Sequence, residues 1–305
     1  MTIANYEEME YARYTFKSEL DKAINVLEGI ITGIAIDEKV NLYEIVELSN
    51  WCDQYKEMIY RKPFDEIIPL IQTSIEDNIL TESEIQDILW ACDNFKGTSK
   101  YYNIITADIQ QLHGIMHGIL ADNEITTDEI EGLRDWSFEN HHLKGLYPYD
   151  ELFSIISSVL SDGIIDEKEK EILKVFFSDF IDFNNSVNID ADEIIKLKET
   201  IKIEGLCSVD PDIYFKNNLF CFTGISSRFK RADIQNIVES LEGKFKDSVI
   251  KDTKYLVIGN NGNPCWAFSC YGRKVEQAMD LRKKGKSILI IHENDFWHAV
   301  ENDKL

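Results

Sequence analysis

The sequence predicts a multidomain chain: an all-α array of helical hairpins, duplicated in tandem, followed by a small α/β domain with a four-stranded parallel sheet. Three observations carry this. A shift of 85 residues aligns 24–95 with 109–180 without a gap. A short acceptor side chain precedes a glutamate by three residues at four points in the first half. After residue 216 the apolar pattern changes from helical spacing to short apolar runs alternating with helices.

The duplication is carried by identical pairs such as Leu27/Leu112, Gly29/Gly114, Gly33/Gly118, Asp37/Asp122, Glu44/Glu129 and Trp51/Trp136. Pro63/Pro148, Asp65/Asp150, Glu66/Glu151 and Phe95/Phe180 continue it. The recurring cap is Asn41–Glu44, Thr81–Glu84, Thr126–Glu129 and Asp166–Glu169. This is the capping-box spacing, in which two side chains satisfy orphan amides at a helix start. Before each cap an acidic turn (Asp37, Asp77, Asp122, Asp162) ends the preceding helix, and after it apolar residues recur at helical spacing. Eight helices follow, with Trp51, Trp90, Trp136 and Phe176 expected in the cores. The small residues Gly29/Gly33 and Gly114/Gly118 lie four apart, which predicts close helix packing. The boundaries read as 1–100 and 101–182 for the two helical units, 183–215 for a linker with a short helix at 190–200, and 216–305 for the last domain.

In that last domain Leu219–Phe222 reads as a strand ending at Thr223-Gly224, 229–241 as a helix, and the region of Phe245 and Val249 as a short strand. Tyr255–Ile258 reads as a buried strand, 273–284 as a helix, Ser287–Ile291 as the last strand and Glu293–Val300 as a final helix. Strands joined by helices imply a parallel sheet.

Charge divides the chain in the same place. Of a formal net charge of -23, residues 1–205 carry -25 and 206–305 carry +2, with +7 between 216 and 286. The acidic part cannot lie along a phosphate backbone without repulsion, whereas the C-terminal part can meet a phosphate. Six cysteines (Cys52, Cys92, Cys207, Cys221, Cys265, Cys270) form no CxxC pair or even framework, as suits reduced thiols. No apolar run approaches the roughly 20 residues that span a bilayer, and the start is acidic where a signal peptide is basic. A cytoplasmic protein with no membrane partner is expected.

The helical half, with its apolar helix, acidic turn (Asp162-Gly163-Ile164-Ile165-Asp166-Glu167) and second amphipathic helix, resembles the tellurite-resistance TerB-like fold over roughly 23–182. The resemblance implies an interaction or sensing platform. In the last domain FCFTG (220–224), LEGKF (241–245), DTKYLVIG (252–259), GRKVEQA (272–278) and ENDFW (293–297) resemble a BRCT domain. The likeness is to the BRCT modules of bacterial NAD-dependent DNA ligases and DnaQ-type exonucleases. A longer segment, 260–271, adds Cys265, Trp266, Phe268 and Tyr271.

The BRCT resemblance implies a phosphate held by a Thr/Ser hydroxyl, a glycine amide and a lysine at the start of the second helix, which fall here on Thr223, Gly224 and Lys274. The residues support the same chemistry. A Thr-Gly turn at the carboxyl end of a parallel strand lets amides approach an anion, and a lysine at a helix N-terminus adds charge where the dipole is already positive. Arg228, Lys230, Arg231 and Arg273 are further candidates for nucleic-acid contact. The alternative is a turn and a solvated lysine in a module that only docks proteins. Trp297 follows the spacing of the last helix and is expected in the core.

His113 and His117 are weak metal candidates: an HxxxH pair shares one helix face, as zinc sites require. However, Gly114 stands where HExxH has its glutamate, and the duplicate has Glu28 and Thr32 instead. The acidic turns do not fit the calcium-loop spacing. No Walker loop, GxSxG or nucleotidyl-transfer lysine motif occurs. The expectation is a non-enzymatic adaptor in DNA metabolism, without a cofactor. Its BRCT module binds DNA with a 5′-phosphate or a phosphoprotein, and its acidic array binds a protein partner. The alternative is a stress or phage-defence component with a metal-sensing helical module and a docking BRCT module.

Overall fold

A computed structural model describes residues 12–37, 39–96, 104–181, 186–201, 203, 206–259 and 273–303. The segment 260–271, with Cys265, Trp266, Phe268 and Tyr271, lies outside the described residues. The contacts divide the chain into two compact units. One holds 1–140 and 165–200, the other 141–164 and 201–305. Segment 141–164, counted with the second helical repeat on sequence grounds, therefore packs within the C-terminal unit.

The helices of the repeats are α1 (Ala12–Ala35), α2 (Leu42–Gln54), α3 (Phe64–Ser74), α4 (Glu82–Lys96), α5 (Ile104–Ile119), α6 (Thr127–Glu139), α7 (Tyr149–Val159) and α8 (Glu167–Phe177). The short helix read in the linker is α9 (Ala191–Thr200). The capping boxes form as read. Asn41, Thr126 and Asp166 each accept from the amide three residues on and receive the glutamate side chain in return. At the fourth, the Thr81 amide donates to Glu84 Oε2 at 2.9 Å and the Glu84 amide to Thr81 Oγ1 at 3.4 Å. These bonds replace water on amides that the helix itself leaves without partners.

In the N-terminal unit α1 and α5 run parallel and touch through equivalent residues. A Cβ on Gly29 would stand 2.0 Å from the Gln111 carbonyl oxygen and 2.8 Å from Gly114 Cα. A Cβ on Gly114 would stand 2.1 Å from the Val26 carbonyl oxygen. Only glycine admits backbones this close. One turn earlier, Asn25 Nδ2 donates to Gln110 Oε1 at 2.8 Å, a buried bond between residues 85 apart, the repeat length itself. The two repeats thus pair about a pseudo-dyad. Leu27, Ile31, Leu48, Phe64, Ile67, Ile68 and Ile88 form the core of the first repeat.

Trp51, Trp136 and Phe176 are buried, as expected from their spacing. Trp90 is not: its side chain is 70% exposed. The buried positions of α4 are Ile85, Ile88, Ala91 and Cys92, and at 100° per residue Trp90 falls across the helix from Ile88. Cys52, Cys92, Cys207 and Cys221 are free and buried.

The pseudo-dyad also gathers like charges. Glu44 and Glu129 are almost fully buried. Burial, opposed by the cap amides and reinforced by Asp37 and Asp122, pushes Glu44 up to about 8 and Glu129 up to about 7.

The C-terminal unit holds a four-stranded sheet of β1 (Leu219–Thr223), β2 (Lys244–Phe245), β3 (Tyr255–Ile258) and β4 (Leu289–His292), all parallel, in the order β2-β1-β3-β4. Val249 is buried in a loop and not in a strand. Helices α10 (Arg231–Ser240), α11 (Arg273–Lys283) and α12 (Glu293–Asn302) complete the alternation. Two cores flank the sheet. Phe215, Phe220, Ile234, Val257, Phe296 and Trp297 form one, and Cys221, Leu256, Val275, Ala278 and Ile290 form the other.

Segment 141–164 joins this unit through Arg282, whose side chain is 1% exposed. Arg282 Nε donates to Glu151 Oε1 at 2.5 Å, and Nη2 donates to Glu151 Oε2 at 2.8 Å and to Asp150 Oδ2 at 2.9 Å. Nη1 donates to the Ile288 carbonyl. Burial disfavours the charge, but the two carboxylates outweigh it and hold the guanidinium charged. Lys144 adds a bond to the Asp210 carbonyl at 2.6 Å.

Three outcomes follow from this packing. Gly114→Ala forces the α1–α5 backbones apart and costs about 1–3 kcal/mol, offset by about 1 kcal/mol of helix propensity. Gly132→Ala meets only the Ile36 side chain, so urea unfolding of the two variants should separate them. Because the folded-state values of Glu44 and Glu129 are raised, the native state binds more protons than the unfolded chain. Stability should therefore fall as pH rises from about 4.5 to about 8. Glu129→Gln, which keeps the acceptor, should flatten that slope in thermal melts across the range. Arg282→Ala leaves two buried carboxylates unpaired and should lower the C-terminal unit's unfolding free energy by about 3–5 kcal/mol. An unchanged denaturation midpoint would count against the clamp.

Candidate anion-binding site

Because β1 lies between β2 and β3, the chain leaves its carboxyl end in one direction and returns on the other side. That makes the β1/β3 boundary a topological switch point, where the connections part and a crevice opens. Thr223 ends β1 there. Gly224 follows with φ +77°, a left-handed conformation that favours glycine. Gly259 ends β3 beside it, its amide donating to the Thr223 carbonyl at 2.9 Å. A Cβ on Gly259 would stand 2.4 Å from the Ile225 carbonyl oxygen, so two bare backbones form the floor.

Two cations converge on this turn from two helix starts. Lys274, the second residue of α11, donates from Nζ to the Phe222 carbonyl at 2.8 Å. Arg231, the first residue of α10, donates from Nη2 to the Gly224 carbonyl at 3.3 Å and approaches Asp247 at 3.5 Å. The carbonyls on either side of Thr223 thus each hold one positive group. Thr223, Gly224 and Lys274 are brought together as the sequence placed them, with Arg231 as the fourth member. Lys230 is the N-cap of α10 and makes no side-chain capping bond.

The loop after Gly224 walls a cleft of about 510 Å³, lined by Ile225, Ser226, Ser227, Arg228, Phe229 and Lys230 among others. Arg228 is directed elsewhere: its Nη1 donates to Glu301 Oε1 at 2.6 Å, and its guanidinium lies 5.7 Å from the Trp297 ring centroid. Arg273 is exposed at the first residue of α11.

One residue that shapes the site went unread in the sequence. Glu293 is fully buried and accepts from the Ser227 amide at 3.0 Å and from Trp297 Nε1 at 3.2 Å. It pins the cleft loop to α12. Its signal was the spacing Glu293–Trp297, one helical turn within ENDFW.

The helical histidines turn to different neighbours. His117 Nε2 bonds Glu47 Oε1 at 2.7 Å, while the His113 ring lies against Phe180 with centroids 5.2 Å apart. Among the described residues no group of three or more His, Cys, Asp or Glu side chains is placed to hold a metal ion. Nor is any helix among them long and apolar enough to cross a membrane.

Comparison with known proteins agrees with the geometry of the C-terminal unit. Residues 210–292 match the BRCA1 C Terminus (BRCT) domain. A DNA ligase of Fervidobacterium nodosum is 33% identical over 82 residues, 27% of this chain and 10% of the ligase. DNA ligases of Thermosipho africanus and Mycoplasma capricolum are 27% and 25% identical over 246 and 225 residues. Those alignments cover 79% and 72% of this chain and 29% of each ligase. The chain thus spans less than a third of the length of these relatives. No solved structure matches the chain significantly. With its parallel sheet, its glycine-floored switch point and this match, the segment 210–292 is a BRCT domain, related to those that bacterial DNA ligases carry.

Proposed function

We propose that the protein is a non-enzymatic adaptor in DNA metabolism, whose BRCT domain binds a phosphate-bearing ligand and whose acidic helical array binds a protein partner. The observation that carries the reading is the pairing of Lys274 and Arg231 with the carbonyls that flank Thr223. Lys274 is held by a carbonyl, and Arg231 by a carbonyl and the exposed Asp247, so an arriving phosphate meets two positioned charges, a hydroxyl and a glycine amide. Two helix starts, those of α10 and α11, add their dipoles to the same place.

The relatives' names favour DNA as the source of that phosphate, and the basic balance of 216–286 agrees with it. A 5′-phosphorylated end is the form we favour, since the -25 of residues 1–205 repels a long duplex lying along the chain. The ligases are enzymes by name, but this chain's likeness to them spans under a third of their length. An adaptor needs only the recognition part. A TerB-like array as the partner-binding half rests on its acidic surface.

The test uses the full chain, since the C-terminal unit draws on residues 141–164. Fluorescence anisotropy compares a nicked duplex carrying a 5′-phosphate with the same duplex carrying a 5′-hydroxyl, and a phosphoserine peptide pool. Lys274→Ala should weaken the phosphate duplex by about 1.5–3 kcal/mol, roughly 10- to 100-fold in Kd, with Arg231→Ala in the same direction. Equal binding of both duplexes, by wild type and variants alike, would overturn the pocket. Preference for the peptide pool would move the ligand to a phosphoprotein.

A further inference from the structure

The duplication supplies an internal reference for the N-terminal unit, because each position has a counterpart 85 residues away. One region across the pseudo-dyad has been filled in one copy and opened in the other. In the filled copy Glu28 pairs with Lys96. Thr32 returns its hydroxyl to the Glu28 carbonyl at 2.8 Å. The space above Gly132 is taken by Ile36, whose Cγ2 lies 2.6 Å from where a Cβ would stand. In the open copy the counterparts are His113 for Glu28, His117 for Thr32, Glu47 for Gly132 and Ile181 for Lys96. All four line a cavity of about 300 Å³. Other lining residues keep their identity in the two copies, as Trp51/Trp136, Ile30/Ile115 and Phe95/Phe180 show.

The chemistry of that lining is specific. Its walls are aromatic: Trp51 and Tyr55 lie 4.8 Å apart, and Phe180 carries the His113 ring at 5.2 Å. Burial, with the nearby Lys22 charge, lowers His113 to about 4, so its imidazole is neutral at physiological pH. It offers one donor and one acceptor. Burial alone would raise Glu47, but hydrogen bonds from His117, Ser186 and the Val187 amide outweigh it and keep the carboxylate ionised. Glu47, its partner His117, Tyr55 and the rim residues Glu19 and Lys22 are the charged or titratable groups beside His113 on the lining. A phosphate or carboxylate ligand would face two glutamates there and one lysine. A flat ring with donors and acceptors on its edge and no negative charge suits the aromatic walls, the neutral imidazole and the size, which lies at the small end of ligand pockets.

We infer that this cavity binds a planar, uncharged heteroaromatic ring of the nucleobase class, between the aromatic walls of Trp51, Tyr55 and Phe180, with His113 as its hydrogen-bonding partner. The site is independent of the BRCT phosphate pocket.

Saturation-transfer-difference NMR on the full chain, with adenosine, guanosine, cytidine and uridine as probes, tests it, and tryptophan fluorescence gives the binding curve. At least one nucleoside should bind saturably. His113→Leu and Phe180→Leu should each weaken it by about tenfold or more, whereas Thr32→Ala, at the filled counterpart, should leave it unchanged. Circular dichroism melts identify any variant that fails to fold, and the two lining variants report independently. No saturable signal from any nucleoside up to about 10 mM, or equal weakening by Thr32→Ala, would overturn the assignment.

Discussion

The C-terminal unit depends on one buried guanidinium. Arg282 lies near the end of α11, with Asp150 and Glu151 of α7 on one side and the Ile288 carbonyl on the other. A buried charge is tolerated when it is paired and hydrogen-bonded, and here a bidentate carboxylate, a second carboxylate and a carbonyl take four of the five N–H groups. The clamp does more than hold α7. Lys274 stands on the same helix, eight residues earlier, about 12 Å along it at 1.5 Å per residue. Fixing the far end of α11 fixes the angle at which its near end meets β1. The ammonium on the Phe222 carbonyl is therefore positioned by carboxylates that belong to another helix.

In the N-terminal unit the corresponding constraint is symmetry. When two copies of one sequence pair through the same residues, each residue near the axis meets its own duplicate. That suits Gly29 with Gly114, and Asn25 with Gln110, where a donor can meet an acceptor. It does not suit acids. Asp37, Glu44, Asp122 and Glu129 each serve a turn or a cap well in isolation, yet the pairing brings them within reach of one another. Burial at the pairing, reinforced by the neighbouring aspartates and opposed by the cap amides, thus raises two of the capping carboxyls. A feature that stabilises locally becomes a pH-dependent cost globally.

The legible parts of the sequence were the local ones. Capping boxes, the strand-to-turn ending at Thr223-Gly224 and the position of Trp297 depend on residues within a turn or two, so spacing placed them, while Lys274 was singled out by the BRCT resemblance. Trp90 misled because its size suggested burial while its phase on α4 points it away from Ile85 and Ile88. Arg282 could not be read, since its partners lie 131 and 132 residues away and appear in sequence as ordinary acids at a helix start. Their duplicates show how little the residue type decides. Asp65 and Glu66 are the same dipeptide at the same point of the repeat and are exposed. Glu47 is similar: alone it is a polar residue on an amphipathic helix, and only the fold sets it against His117, 70 residues on.

The basic residues of the BRCT domain divide by what holds them, and the division bears on the proposed ligand. Arg228 is satisfied by a carboxylate and an aromatic face, so a phosphate would have to compete with Glu301 for it. Lys274 is held by a carbonyl and by the buried Cys221 thiol, neither of which brings a charge to the contact. Arg231 is intermediate, shared between the Gly224 carbonyl and an exposed aspartate at 3.5 Å. Affinity should therefore be concentrated at the Thr223 turn and not spread along a basic face. A compact phosphate gains most from that arrangement, because it engages the two cations already aimed at the turn and competes only with the exposed Asp247 for Arg231. For the proposed ligand, a long polyanion would draw on Arg228 as well, against its pairing with Glu301.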